Sequence, residues 1–179
     1  PRWPAMVALL AVSALFYAIP PALKVGPDWL FVLLVAALTL PGVLFRKWRH
    51  RPLIRILGYA AVATMTLAMI GSLSLLVARL PLHKESPADL LRAATAIWVG
   101  NILVFAAWYW RLDAGGPHQR DLRESHTDGA FLFPQMTLTP EIRKEMEEDD
   151  WKPGFVDYLF LAFNASTAFS PTDVPVLSR

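Results

Sequence analysis

The chain has 179 residues, 55% of them hydrophobic and 18% charged, with a mean hydropathy of +0.38, and its apolar residues are gathered into blocks too long for an ordinary soluble domain. The absence of cysteine excludes disulfides, thiolate nucleophiles and cysteine-based metal sites. A net charge of +2, with its densest basic patch lying between two apolar blocks, argues against nucleic acid as a partner.

Five stretches meet or approach the roughly 17 to 20 apolar residues needed to cross the hydrocarbon core. The first runs from Pro4 to Ile19 and closes at Pro20 and Pro21. A cleaved signal peptide is its rival, but further spans follow and no small-x-small cleavage site does, so a retained helix is expected. The second, Trp29 to Phe45, carries no charge, and Pro41 and Gly42 loosen its last turn. The third, Leu53 to Val77, is long enough to tilt. The fourth, Leu90 to Trp110, ends in Trp108, Tyr109 and Trp110, an aromatic cluster suited to the headgroup belt. The fifth, Phe155 to Ser170, is the shortest and the most polar.

Lys and Arg favour the cytoplasmic side. The topology determinants are therefore Arg46, Lys47, Arg49, Arg51 and Arg55, in the short connector between the second and third spans. They place the N-terminus, that connector and residues 112–152 in the cytoplasm. The expected organisation is four transmembrane helices over residues 1–111, a cytoplasmic loop over 112–152, and a fifth helix with an outer turn over 153–179. Within the loop, Thr139 can cap a short surface helix that has Pro140 at its first position and Glu141 in its first turn. Glu147, Glu148, Asp149 and Asp150 lack the spacing of a calcium loop and read as a solvated charge run. Phe131 to Gln135, FLFPQ, is apolar enough to tuck against the bilayer or the helices.

Lipid gives helices no hydrophobic drive to associate, so small residues and polar groups must hold them together. Ala96 with Gly100, and Ala68 with Ser72, have the small-xxx-small spacing, and Asn101 is expected to bond across to Ser72 or Ser74 or to the fifth span. On the fifth span Asp157 and Asn164 are seven apart and share a face, with Thr167 close to it. Asp157, Asn164, Thr167 and Asn101 are the polar stripe candidates. Ser170, Thr172 and Asp173, broken by Pro171 and Pro175, form the expected outer turn. The triplet Asn164 to Ser166 matches a glycosylation pattern, but inside an apolar helix it is discounted. His50, His83, His118 and His126 show no i, i+4 pair and no HExxH pattern, so no metal site, cofactor or catalytic residue is expected.

The stretch GFVDYLFLAFNASTAFSPTDV, with Gly115, Gly116, Phe133 and Pro134 before it, resembles a large family of uncharacterised bacterial inner-membrane proteins. Asp157, Tyr158, Leu159, Phe160, Ala162, Phe163, Thr167, Phe169, Thr172, Asp173 and Val174 stand at the places of its motif. The resemblance is specific over residues 154–175 and implies an all-α, polytopic helical bundle in the bacterial inner membrane. It implies six helices, five of them in this sequence and one further helix at the C-terminal end. It implies no activity. A fainter likeness to the pore segment of potassium channels lacks the two glycines that turn filter carbonyls toward an ion.

The function expected from these features is a small-solute or ion transporter or channel-like protein, with the polar stripe along a hydrated path. The alternative is a non-transporting membrane scaffold that recruits a soluble cytoplasmic partner through residues 112–152. A lipid-directed enzyme would rest on Asp157 and Asp173 alone and ranks last. The lipid bilayer is the expected partner, with a second copy of the chain and a cytoplasmic protein left open.

Overall fold

The computed structural model describes residues 3–27, 29, 32–37, 51–122, 129–146, 151–167, 174 and 176–177. Outside them fall most of the second expected span, Arg46, Lys47 and Arg49, the acidic run Glu147 to Asp150, and the expected outer turn at Ser170, Thr172 and Asp173. Among the described residues the fold is all-α, and the one extended pairing is an isolated antiparallel bridge between Phe131 and Val176. The chain divides into two compact units, Ala5–Val104 and Phe105–Arg179 with Pro1–Pro4.

The first unit holds α1 (Trp3–Ala18), α2 (residues 32–37), α3 (Arg51–Arg79) and the first part of α4 (Pro87–Leu112). α1 ends where Pro20 and Pro21 remove two backbone donors, and the chain passes into a short 3-10 turn, Pro21–Leu23. Leu23 is fully buried and joins Ile19, Leu76, Ala93, Ala96 and Ile97 in one apolar cluster. α3 stops ahead of Pro81, and His83 takes a left-handed conformation at φ 51°. An ion pair between Arg79 and Glu85 at 3.1 Å closes the connection. α4 then starts on Ser86, whose hydroxyl accepts from the Asp89 N–H at 3.1 Å and donates to the Asp89 carboxylate at 2.7 Å, with Pro87 in the first helical position.

Two of the helical stretches, Arg55–Leu82 with 28 residues and Pro87–Gly115 with 29, are long and apolar enough to cross a membrane by length and composition. α1 with 16 residues and α7 (Phe155–Ser166) with 12 fall short of that length. Five full spans are thus not found among the described residues.

The expected packing devices of the first unit differ from what forms. A Cβ placed on Gly100 would meet nothing within 4 Å, so Gly100 does not bring a second backbone close. It borders an apolar void of about 10 Å³ shared with Phe16, Met69 and Ile97. The close approach is at Gly71, where a Cβ would lie 2.7 Å from Val25 Cγ2. Ser72 is buried with no hydrogen-bond partner for its hydroxyl, so the expected bond to Asn101 is not made, and Ser74 donates to its own Ile70 carbonyl at 2.8 Å.

The second unit holds the end of α4, a 3-10 turn at Asp113–Gly115, α5 (Pro117–Leu122), a second 3-10 turn at Pro134–Thr137, α6 (Pro140–Glu145) and α7. α6 begins as its sequence dictates, with Thr139 Oγ1 accepting from the Ile142 N–H at 3.5 Å and Pro140 at the first position. The carboxyl of Glu141 is held below the usual carboxylate range by its own backbone N–H and by the Thr139 hydroxyl.

Candidate functional site

The candidate site grows out of the way α4 ends. After Leu112 the backbone reverses through three residues with positive φ: Ala114 at 50°, Gly115 at 77° and Gly116 at 92°. Glycine takes such angles freely and alanine does not. At Gly116 there is a second constraint, since a Cβ would come within 3.0 Å of the Arg111 carbonyl oxygen. The Gly116 N–H donates to the Asp113 carbonyl at 2.8 Å, and Pro117 starts α5. The turn aims the Asp113 side chain inward, where it is 0% exposed.

A buried carboxylate is costly unless its oxygens are satisfied. Here Oδ1 accepts from the Ala130 N–H at 2.5 Å and Oδ2 accepts from the Tyr158 hydroxyl. Arg120, 4% exposed, sits one face away on α5. It donates from Nη1 to the Asp113 carbonyl and from Nη2 to the Trp110 carbonyl, each at 2.8 Å. A guanidinium on the last carbonyls of α4 both caps them and matches the negative end of the helix dipole. Its Cζ lies over two aromatic rings, 5.0 Å from the Tyr158 ring centre and 5.9 Å from that of Trp110, within cation–π range.

Around this core the aromatic rings close out water. Tyr158, 0% exposed, meets Phe133 edge-on at 5.4 Å and Phe131 at 6.2 Å. Phe133 also meets Trp151 at 5.6 Å, Phe131 meets Tyr109 at 5.2 Å, and Trp110 meets Phe155 at 6.1 Å. FLFPQ therefore tucks against helices, by way of Phe131 and Phe133. Trp110, expected at a headgroup belt, is buried instead. The site ties the end of α4, α5, residues 130–133 and the first turn of α7 into one piece. Chemically it is a closed polar knot, with a carboxylate, a phenol and a guanidinium each engaged.

The residues named from sequence are distributed differently. Asp157 is half-buried and accepts from the Gly154 N–H at 2.7 Å, serving the first turn of its own helix. Asn164 and Thr167 are half-buried near the far end of α7. Thr167 donates to the Phe163 carbonyl at 2.9 Å, and Ser166 donates to the same oxygen at 3.0 Å. Asn101 lies on α4 within the other unit. Arg55 is exposed on α3. No cluster of three or more potential metal ligands occurs among the described residues.

Sequence reasoning missed Asp113 and Arg120. The available signal was an acidic residue at the close of an apolar helix, followed at once by Ala-Gly-Gly-Pro and seven residues later by arginine. Of the residues that carry the family resemblance, Gly116, Phe133 and Tyr158 meet here. Comparison of the chain with protein-family models, with curated proteins and with solved structures found no match.

Proposed function

We propose that this is an integral protein of the bacterial inner membrane, of the uncharacterised family its motif resembles, and that it moves a small solute or ion along the polar side of α7. The observation that carries the membrane reading is the chemistry of the exposed helix faces. α1 buries Ala8, Leu9, Val12 and Phe16 on one side, while Val7, Leu10 and Tyr17 on the other side are exposed. α3 buries Ala61, Met65, Ala68 and Leu76 and exposes Leu67, Ile70, Leu73 and Val77, with Leu67 at 70%. A helix in water carries polar residues on its outer face; apolar residues on both faces belong in lipid.

The hydroxyls agree with that solvent. Thr64, Thr66, Ser74 and Thr95 each donate to the carbonyl four residues earlier, and Ser74 and Thr95 do so although exposed. Satisfying a polar group within its own helix is what a medium without water requires. Transport is supported by Asn164, polar and half-buried on a helix whose outward residues Val156, Phe160 and Phe163 are apolar. The test is flux of sodium, potassium and protons into liposomes carrying the purified chain. Asn164→Leu together with Asp157→Asn is expected to abolish any flux, and unchanged flux removes this lining.

A second reading, a scaffold for a soluble partner, is favoured by α6, where Ile142 and Met146 stand exposed one turn apart beside exposed Glu141, Lys144 and Glu145. Ile142→Ser with Met146→Ser should then release a co-purifying partner while leaving the chain in the membrane fraction, and a partner retained by the double variant would refute that reading.

A further inference from the structure

We propose that the chain pairs with a second copy of itself through the exposed face of α4, and that the Asn101 amides of the two copies hydrogen-bond to each other across the contact. This rests on the membrane reading above and uses nothing of the transport reading.

α4 carries an outward seam with the spacing that helix pairs use. Leu91, Ala94, Trp98 and Asn101 follow at intervals of three, four and three residues, which at about 100° per residue keeps them within about 80° of the helix circumference. Leu91 is 69% exposed and Trp98 44%, and Ala94 is exposed beside them. The opposite side of the helix is the covered one, where Ala93, Ala96 and Gly100 are buried. Alternating three- and four-residue steps hold one seam against a partner helix, and the small side chain of Ala94 lets a second backbone come close.

Apolar residues on such a face are content in lipid, but Asn101 is not. It lies about 21 Å of helix from Pro87 and about 17 Å from Leu112, close to the middle of a helix long and apolar enough to cross the bilayer. Thr64, Thr66, Ser74 and Thr95 each donate to the carbonyl four residues earlier. The half-buried Asn101 side chain makes no such bond, nor any other among the described residues.

A primary amide carries both donors and an acceptor, so it is complementary to a copy of itself. Hydrocarbon offers it neither partner. Two copies inserted in the same orientation present α4 to α4 in parallel, and a two-fold axis along the membrane normal sets each seam residue opposite its own counterpart. Asn101 then meets Asn101 of the second copy at one register only, as a single buried asparagine does in a parallel two-stranded coiled coil. A hydrated path along α4 is the other environment that would satisfy the amide, and the test separates the two.

The chain contains no cysteine, so Ala94→Cys can be placed on the seam and Leu67→Cys on the exposed face of α3 as its control. Membranes from cells expressing each full-length variant are oxidised with copper phenanthroline and resolved on non-reducing gels. Ala94→Cys is expected to give a covalent dimer and Leu67→Cys to remain a monomer. Association is then followed in liposomes by energy transfer between copies labelled at Lys84→Cys, as lipid dilutes the protein. Asn101→Leu is expected to weaken it by about 3- to 30-fold, the worth of an interhelical hydrogen bond in a bilayer, and Asn101→Gln to restore it. Cross-linking of both cysteine variants alike, or association of Asn101→Leu equal to that of the parent, overturns the proposal and leaves the membrane reading intact. Monomers at every dilution overturn it as well, and a nitroxide on Asn101→Cys relaxed by a water-soluble nickel chelate then assigns the amide to a hydrated path. Recovery of all variants in the soluble fraction overturns both readings together.

Discussion

Tyr158→Phe isolates one bond of the buried knot. The ring keeps its contacts with Phe131 and Phe133 and its place under Arg120, and only the hydroxyl that donates to Asp113 Oδ2 is lost. A hydrogen bond to a charged acceptor contributes about 1.5 to 3 kcal/mol, and here the carboxylate oxygen left behind has no water to turn to. For a chain of this size 1 kcal/mol corresponds to roughly 2 to 4 °C, so a loss near 2 kcal/mol lowers the melting temperature by about 4 to 8 °C. The assay is thermal unfolding of the detergent-purified protein followed by tryptophan fluorescence. The bond itself is tested by a double-mutant cycle with Asp113→Asn, in which the two losses overlap by about 1.5 kcal/mol or more. Additive losses, or a Tyr158→Phe protein that melts with the parent, refute the argument.

Arg120→Lys keeps the charge but not the planar fork that reaches two carbonyls, and a loss of about 2 kcal/mol is expected in the same melt. The turn after α4 gives a pair of opposite signs. Gly116→Ala costs about 1 to 3 kcal/mol because its φ of 92° and the Arg111 carbonyl leave no room for a Cβ, whereas Ala114→Gly is neutral or up to about 1 kcal/mol stabilising. Gly100→Ala meets only open space and should stabilise α4 by about 0.5 to 1 kcal/mol; a lower melting temperature would show that Gly100 is a close-packing site after all. The Glu141 carboxyl should titrate below the usual carboxylate range by NMR, and Thr139→Val should move it upward. Because its folded value is depressed, its contribution to α6 is present above the ordinary range and lost as pH falls through the folded value.

The helical class and the positions of the long helices were legible because local patterns set them. The expected Leu53 to Val77 becomes Arg51–Arg79, and Leu90 to Trp110 becomes Pro87–Leu112. Proline after α1, Pro81 after α3 and the Ser86 and Thr139 caps act within a few residues. α7 was read as running to Ser170 but ends at Ser166, where Thr167 and Ser166 turn their hydroxyls onto the last carbonyls. The buried knot was illegible for the opposite reason. Asp113 and Tyr158 are 45 residues apart, and no windowed pattern announces that an acid at a helix end will find a phenol that far along the chain. Asn101 was given a partner in Ser72, Ser74 or the fifth span by helix-face spacing alone, and spacing on separate helices does not determine which faces meet.

The account rests on lipid being the solvent of the exposed apolar faces of α1, α3 and α7. Membranes from cells expressing the full chain can be extracted with alkaline carbonate, which strips proteins held only at the surface. The chain is predicted to stay wholly in the pellet and to be released by detergent alone. Its release into the carbonate supernatant would contradict that solvent assignment and every functional reading built on it.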